Sequence, residues 1–305
     1  LFEDNAEFGY GMLLAQKAIR DGLKTKVEAV MESEKASDEV KAACKEWIDT
    51  FSVGATNGAA TDKLVAALEG CECDTCKDIV KNKDFLAKKS QWIFGGDGWA
   101  YDIGFGGVDH VLASGKDINI MVFDTEVYSN TGGQSSKSTP TGAIAQFAAG
   151  GKETKKKDMA SIAMSYGYVY VAQISMGADF NQTVKAIAEA EAYPGPSLII
   201  AYAPCINHGI KKGMSKAQTE EELAVKCGYW HNFRFNPAAE NKFTLDSKAP
   251  ASEDYQAFLD GEVRYNSLKR SNPEKAARLF AKNENEAKER YTYLNKLITL
   301  YGKED

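Results

Sequence analysis

The stretch Gln91-Trp-Ile-Phe-Gly-Gly-Asp-Gly-Trp-Ala100 decides the fold class of this chain. It begins as a short apolar run that ends at Phe94, continues as a glycine turn and passes into a helical pattern from Tyr101. Glycines at a strand-to-helix turn let the backbone approach a phosphate, and the helix amino terminus offers unpaired N–H groups. The stretch therefore predicts a strand, an anion-binding turn and a helix in succession.

The same unit recurs through residues 91–204. Three further short runs rich in β-branched and aromatic residues are Ile118–Phe123, Tyr168–Ile174 and Ser197–Tyr202. The segments with a helical pattern between the runs are Tyr101–Ala113, Asp158–Ser165 and Phe180–Tyr193. Strands that alternate with helices predict an α/β fold with a mostly parallel sheet and helices on both faces. Ligands of such sheets bind at the carboxyl ends of the strands, so the residues just after each strand are the functional candidates.

Helical segments are predicted to flank this sheet at both ends of the chain. Helix starts are indicated at Ser37-Asp38 and Thr61-Asp62, and a long last helix from Pro273 to about Tyr301. We expect a helical segment over 1–90 that packs on the core, an α/β core over 91–215 and a helical segment over 216–305. Together they would form one structural domain of a longer polypeptide, because the chain enters a helical pattern directly after Leu1.

The composition is that of an ordinary globular protein. Of 305 residues, 44% are hydrophobic and 26% charged. The net charge of −6 disfavours a nucleic-acid binder, which usually carries the opposite sign. The apolar runs are too short to span a bilayer, no export signal is recognisable, and six cysteines do not make a disulfide scaffold in a chain this large. We expect a cytoplasmic protein that binds neither nucleic acid nor membrane.

An aspartate stands inside the glycine turn. Asp97 opposes direct phosphate binding unless a cation lies between the two negative groups, and Mg²⁺ takes one or two carboxylates together with phosphate oxygens. The alternative is a tight turn in which the aspartate only caps the following helix. A second loop favours the metal. It begins at Asp124, after the next strand, and places Thr125 28 residues beyond Asp97 in a polar stretch that extends to Gln134.

At this point the sequence resembles a known family. Gly-Asp-Gly followed after about thirty residues by an oxygen-rich loop is similar to the signature of thiamine-diphosphate enzymes. Longer strings resemble the pyruvate:ferredoxin (flavodoxin) oxidoreductases over essentially the whole chain; they include Leu1–Met12, Gly96–Asp109, Asp124–Gln134, Met164–Ala172, Ala203–Gly209 and the last helix. One position departs from the general thiamine signature, since Thr125 stands where asparagine is usual. Threonine still supplies a neutral oxygen.

The resemblance implies a set of site residues. Asp97, the Thr125 hydroxyl and the Val127 main-chain carbonyl would ligate Mg²⁺. The diphosphate and thiazolium would be lined by Gly96, Asp97, Gly98, Trp99, Thr125, Glu126, Val127, Tyr128, Ser129 and Asn130. Asn130 is the implied catalytic residue, which would donate a hydrogen bond where negative charge develops on the substrate carbonyl oxygen.

The resemblance also implies a reaction. Pyruvate would be oxidatively decarboxylated to acetyl-CoA and CO₂, with electrons passed through 4Fe–4S clusters to ferredoxin or flavodoxin. This chain would supply the diphosphate and Mg²⁺ half of the site. The glutamate that activates the aminopyrimidine would come from elsewhere in the same polypeptide, so the isolated chain would be inactive. The full enzyme would be a homodimer. Another 2-oxo-acid:ferredoxin oxidoreductase and an inactive cofactor-binding fragment remain alternatives.

The cysteines and histidines divide into one implied ligand and several structural candidates. By resemblance, Cys205 would complete a 4Fe–4S cluster whose other three ligands lie upstream of this chain. Cys71, Cys73 and Cys76 have no fourth ligand nearby, so surface or packing roles are favoured over a metal site. Packing is also expected for Cys44 and Cys227. His208 either supports Cys205 or is structural, and structural roles are expected for His110 and His231.

The one notable charge run is Lys152–Asp158. Blocks of like charge usually face water, so we expect a solvated loop here rather than an anion site.

Overall fold

The structure is a computed structural model that describes residues 5–302; residues 1–4, with which the Leu1–Met12 resemblance begins, and residues 303–305 lie outside the described part. The chain forms two compact units. One consists of Phe8–Gln91, and the other consists of residues 5–7 and 92–302 of the described part. No described helix is long and apolar enough to cross a membrane.

The first unit is helical. Its helices are α1 (Ala6–Glu32), α2 (Asp38–Asp49), α3 (Gly54–Leu68) and α4 (Asp74–Lys81). They enclose a core that includes Leu23, Val27, Trp47, Leu64, Leu68 and Ile79. Ser37 caps α2 as predicted, because its side chain accepts a hydrogen bond from the Val40 N–H. The start predicted at Thr61 is wrong, since the Thr61 hydroxyl donates to the Asn57 carbonyl from inside α3.

The second unit is built on a six-stranded sheet with the order β1-β2-β4-β3-β5-β6. The strands are β1 (Trp92–Gly96), β2 (Asn119–Asp124), β3 (Tyr170–Ile174), β4 (Ser197–Tyr202), β5 (Phe233–Phe235) and β6 (Phe243–Leu245). The helices are α5 (Phe105–Ala113), α6 (Met159–Met164), α7 (Phe180–Ala192), α8 (Ala217–Cys227), α9 (Tyr255–Asp260), α10 (Val263–Ser271) and α11 (Pro273–Leu300). The first four strands in sequence are parallel, so the predicted mostly parallel α/β sheet is confirmed.

Residues 216–305 add two strands that the sequence pattern did not indicate. β5 pairs antiparallel with β3, and β6 pairs antiparallel with β5. The sheet therefore contains strands from the predicted core, 91–215, and from the segment predicted to be helical, 216–305. Three residues are too few for an alternating pattern to be recognised. Tertiary contacts hold them instead: Phe233 and Phe235 are buried, and Arg234 pairs with Glu189 at 2.6 Å and Asp246 at 2.9 Å.

The glycine turn passes into a π-helical segment, Gly98–Ile103, before α5 begins. Trp99 explains the glycines around it, because a Cβ on Gly95 would lie 2.2 Å from the Trp99 ring and one on Gly104 would lie 2.1 Å from it. The indole therefore packs directly on the backbone of both glycines. The Gly104 N–H bonds back to the Trp99 carbonyl at 2.8 Å, five residues earlier, which gives the wider helical turn.

The strand register brings three loops to one edge of the sheet. Gly96 of β1 lies beside Phe123 of β2, and Asp124 of β2 lies beside Tyr202 of β4. The Ala203 N–H continues this pairing by donating to the Asp124 carbonyl at 3.1 Å. The loops after β1, β2 and β4 therefore leave the sheet side by side, as expected for a ligand site in a parallel sheet.

Candidate cofactor and metal site

Three oxygen atoms that could ligate a metal ion, from two loops, meet at this edge. The Thr125 hydroxyl lies 2.8 Å from Asp97 Oδ1 and 2.9 Å from the Val127 carbonyl oxygen. These are the carboxylate, hydroxyl and carbonyl that the sequence motif singled out. Oxygen donors of this kind are the ligands of a hard divalent cation such as Mg²⁺. The residues present therefore fit a magnesium ion chemically.

The buried Asp97 carboxylate accepts its side-chain hydrogen bonds, among the described residues, from hydroxyl groups. It is 1% exposed, and its second oxygen accepts hydrogen bonds from Ser136 at 2.6 Å and Ser138 at 2.7 Å. Burial, and then the nearby Asp124, raise the pKa of Asp97 to about 6. No ion pair within residues 5–302 neutralises it. A buried carboxylate without a cationic partner is costly, so this group fits a cation best.

The glycines of the turn differ in what surrounds them. A Cβ on Gly96 would meet no atom within 4 Å, and the residue is exposed. A Cβ on Gly98 would lie 2.4 Å from the Tyr128 ring, so Gly98 is required for packing between the two loops. The Trp99 side chain is buried. Gly96 therefore leaves the backbone of the turn open to an approaching anion, whereas Gly98 and Trp99 shape the turn from within.

The loop after β2 ends in a small hairpin. The Tyr128 N–H donates to the Gln134 carbonyl at 2.9 Å, and the Gly133 N–H donates to the Tyr128 carbonyl at 2.8 Å. Ser129 is half-buried, and Asn130 is exposed next to it. The hairpin fixes the backbone on either side of Asn130 while its amide stays free of the core. This is a suitable place for a side chain that acts on a bound molecule.

Glu126 turns its carboxylate into the protein. One oxygen lies 2.8 Å from Lys156 Nζ, and the other lies 2.8 Å from Arg264 and 2.6 Å from the Tyr229 hydroxyl. Burial alone would raise its pKa, but Lys156 and Arg264 hold it down to about 2. The side chain is thus fully engaged, and only the main chain of Glu126 is left for the cofactor role that the sequence predicted.

The backbone at Glu126 is also unusual. Its φ of 59° lies in the left-handed region, which costs a non-glycine residue about 1–2 kcal/mol. The Thr139 hydroxyl donates to the Glu126 carbonyl at 2.5 Å, and the Glu126 N–H donates to Asp124 Oδ1 at 3.1 Å. These bonds and the ion pairs hold the turn that places Thr125 and Val127 on the same side.

The prediction of a solvated loop at Lys152–Asp158 is wrong for three of its lysines. Lys156 Nζ lies 2.8 Å from Asp124 as well as from Glu126. Lys152 donates to the carbonyls of Ser136 and Thr139, and Lys157 donates to that of Tyr101 at 3.0 Å. Their acceptors lie 13 to 56 residues away in sequence, so the local charge pattern carried no sign of them.

Cys205 follows β4 at the same edge of the sheet. Its side chain is half-buried, and its N–H donates to His208 Nδ1 at 3.0 Å. His208 is fully buried, and burial together with Arg264 lowers its pKa well below the usual value. It is therefore neutral and holds the turn that carries Cys205. His110 is exposed on α5, whereas His231 is buried.

Sequence reasoning missed the residues that hold Asp97 and the loop of Thr125 and Val127, the three candidate metal ligands, in place. Ser136, Ser138, Lys156, Tyr229 and Arg264 all contact Asp97 or Glu126. The polar run that contains Ser136 and Ser138 was the only available signal, because it follows directly on the second loop. Tyr229 and Arg264 lie more than 100 residues from Glu126 and stand in helical, charged surroundings that point to no site.

The sequence of the chain is similar to that of known proteins. Residues 80–201 match the family model described as thiamine pyrophosphate enzyme, C-terminal TPP binding domain. The pyruvate-flavodoxin oxidoreductase of Enterobacter agglomerans is 57% identical over 98% of this chain and 26% of its own length. The pyruvate:ferredoxin oxidoreductase of Moorella thermoacetica is 54% identical over 97% of this chain and 26% of its own length.

One solved structure shows a weaker likeness. A 2-oxoglutarate:ferredoxin oxidoreductase from Magnetococcus marinus has a TM-score of 0.37 and 18% identity, and the match covers 60% of this chain and 68% of that one. The chain spans about a quarter of the length of the curated relatives it matches. The resemblance to pyruvate:ferredoxin and pyruvate:flavodoxin oxidoreductases is confirmed over nearly the whole chain.

The buried ion pairs of Glu126 generate a stability prediction. Glu126→Gln removes a buried carboxylate that Lys156 and Arg264 both contact. Breaking a buried ion pair costs about 3–5 kcal/mol, and this is the upper bound here because Lys156 keeps Asp124 and Arg264 keeps Glu262. Urea unfolding should show this loss of unfolding free energy. Glu153→Gln removes the same charge from half-exposed pairs with Lys275 and Arg278 and should change the midpoint little. Equal effects of both substitutions would contradict the prediction.

Proposed function

We propose that this chain, as the counterpart of the thiamine-diphosphate-binding portion of the pyruvate:ferredoxin and pyruvate:flavodoxin oxidoreductases, supplies the diphosphate and Mg²⁺ half of such an active site. The reaction would be the oxidative decarboxylation of pyruvate to acetyl-CoA and CO₂. One observation carries the proposal: the Asp97 carboxylate, Thr125 hydroxyl and Val127 carbonyl converge where the carboxyl ends of β1 and β2 meet.

When bound, thiamine diphosphate supplies a nucleophilic carbon and an electron sink for the 2-oxo acid. The chain's own part is to bind and orient it. Asp97, Thr125 and Val127 would hold the cation that offsets the charge of the diphosphate. Gly96 leaves the turn open for the phosphate oxygens, and the first N–H groups of the following π-helical segment would be available to an anion there.

Asn130 is proposed to act on the substrate. Its amide is exposed on a hairpin whose ends are fixed by backbone hydrogen bonds. A neutral amide donates a hydrogen bond without adding a charge, so it stabilises a developing oxyanion without binding the substrate carboxylate too tightly. The neighbouring residue Tyr128 would help to hold the Asn130 and Ser129 backbone in place, since the Tyr128 ring packs against Gly98 of the turn that contains Asp97.

Cys205 is proposed to supply one thiolate to a 4Fe–4S cluster through which electrons leave. Its position after β4 puts it on the sheet edge that carries Thr125, and neutral His208 fixes its backbone. A 4Fe–4S cluster needs four thiolates. Within residues 5–302 no three-ligand group includes Cys205, so three ligands would have to come from outside this chain.

The proposed reaction also needs groups that this chain does not supply. The glutamate that activates the aminopyrimidine would come from elsewhere in the full polypeptide, which would assemble as a homodimer. Coenzyme A would accept the acetyl group, and ferredoxin or flavodoxin would accept the electrons. The support for this proposal is the identity of 54–57% to pyruvate oxidoreductases that are about four times longer.

Asp97→Ala tests the metal bridge. In the full-length enzyme the variant should lose Mg²⁺-dependent thiamine-diphosphate affinity by at least ~10²-fold, because a direct metal ligand matters more than the outer partners that cost 10–100-fold. Calorimetric titration is the measurement. Asp102→Ala is the control, since it removes a nearby carboxylate that pairs with Lys137. Unchanged affinity in the Asp97 variant would refute the bridge.

Asn130→Ala tests the catalytic role. The variant should retain thiamine diphosphate and its melting temperature, because the side chain is exposed, while kcat falls by ~10²-fold or more. Steady-state kinetics and thermal unfolding separate the two effects. Thr131→Ala, at the adjacent exposed position, should lower kcat much less. Normal turnover per folded molecule in the Asn130 variant would show a structural role.

Cys205→Ala tests the electron exit. In the anaerobically purified enzyme the variant should lack one 4Fe–4S cluster and should no longer couple pyruvate consumption to ferredoxin reduction. Electron paramagnetic resonance counts the reducible clusters. Cys227→Ala removes a buried thiol that donates a hydrogen bond to the Ala224 carbonyl, and this variant should keep all of the clusters. A full set of clusters with normal ferredoxin reduction in the Cys205 variant would leave it a packing residue.

A further inference from the structure

A second group of thiols lies in the helical unit, where α3 passes into α4. The sulfur atoms of Cys71, Cys73 and Cys76 all lie within 4.8 Å of one another. Cys76 is buried, Cys71 is half-buried and Cys73 is exposed. A packing role accounts for Cys76, which belongs to the helical core, and for Cys71, which packs against that core, but it does not explain why exposed Cys73 is held beside them.

The geometry of the segment favours thiolates. Cys73 is the N-cap of α4, and the Cys76 N–H donates to its sulfur at 3.2 Å. The amino terminus of a helix stabilises negative charge. The Cys73 and Cys76 sulfurs lie 2.8 Å apart. Three thiolates this close together would repel one another unless a positive charge compensated them.

The surroundings supply little such charge. The neighbours Glu72 and Asp74 are acidic, and Lys77, the nearest lysine in sequence, pairs with Glu72 at 2.8 Å. A disulfide would use two of the sulfurs and leave the third without a role. Three sulfurs brought together are a ligand set for a soft or borderline cation. Thiols lose their protons when they bind such a metal, and the resulting thiolates lie at about 2.3 Å from it.

We propose that Cys71, Cys73 and Cys76 form a three-thiolate site for a zinc-type cation, with the fourth position open to solvent beside exposed Cys73. The cation fastens the chain between α3 and α4 to the first turn of α4. Because Leu68 and Cys76 on either side belong to the helical core, binding stabilises that unit. The site is independent of the thiamine-diphosphate function proposed above.

Cadmium provides a direct test, because Cd²⁺ bound by thiolates absorbs in the ultraviolet and Zn²⁺ does not. The reduced, metal-free 305-residue chain should bind one Cd²⁺ with this absorption, and Zn²⁺ added to the metal-free chain should raise the melting temperature. Cys73→Ser should lower the absorption by about a third, as one of three thiolates is lost, and weaken binding by more than ~10²-fold. Cys73 is exposed, so the variant should fold, which circular dichroism checks.

Cys227→Ala is the control, because it removes a thiol outside the group to which no ligand role is assigned and should leave Cd²⁺ binding unchanged. Four results would overturn the proposal. The first is no thiolate absorption on adding Cd²⁺, and the second is equal binding by the Cys73 variant. The third is a mass two hydrogens lower, with Cys73 and Cys76 joined as a disulfide in the anaerobic sample. Incorporation of iron and sulfide at these cysteines in place of the single cation would also overturn it.

Discussion

Buried negative charge at one edge of the sheet is the constraint on which this site depends. Asp97, Asp124 and Glu126 lie close together there, and each is at most 1% exposed. Lys156 neutralises Asp124 and Glu126, and Arg264 adds a second cation to Glu126. Within the described residues, the side-chain partners of Asp97 are the hydroxyls of Thr125, Ser136 and Ser138. The protein thus supplies its own cations to two of the acids, whereas the third, Asp97, is the acid that the proposed metal site would neutralise.

The carboxyl-terminal residues therefore do more than cover the sheet. Arg264 of α10 and Tyr229 after α8 hold the Glu126 carboxylate, and that contact keeps the left-handed turn between Thr125 and Val127 in place. Glu262 secures Arg264 in turn at 2.6 Å. A loop with two ligand positions is in this way fixed by residues more than 100 positions away. Fixing ligands before the cofactor arrives lowers the free-energy cost of binding.

Local sequence pattern was sufficient for the parallel strands of the sheet, although it misplaced one helix start at Thr61. Ser197–Tyr202 was predicted with the bounds that β4 has, and the Asp97 and Thr125 loops were predicted to meet because parallel strands end at one edge. What it could not show were partners brought together by tertiary folding. Lys156 looked solvated because its carboxylates lie about thirty residues upstream. β5 and β6 are too short for a pattern, and the side-chain direction of Glu126 depends on Arg264.

The metal-bridged diphosphate site is tested most directly by electron paramagnetic resonance with Mn²⁺ in place of Mg²⁺ in the full-length enzyme. Mn²⁺ is paramagnetic and takes the oxygen ligands that Mg²⁺ prefers. One Mn²⁺ per bound thiamine diphosphate is expected, with hyperfine coupling to phosphorus nuclei that disappears when the cofactor is removed. Full binding of thiamine diphosphate without any divalent cation, or bound Mn²⁺ without phosphorus coupling, would contradict a metal bridge at Asp97.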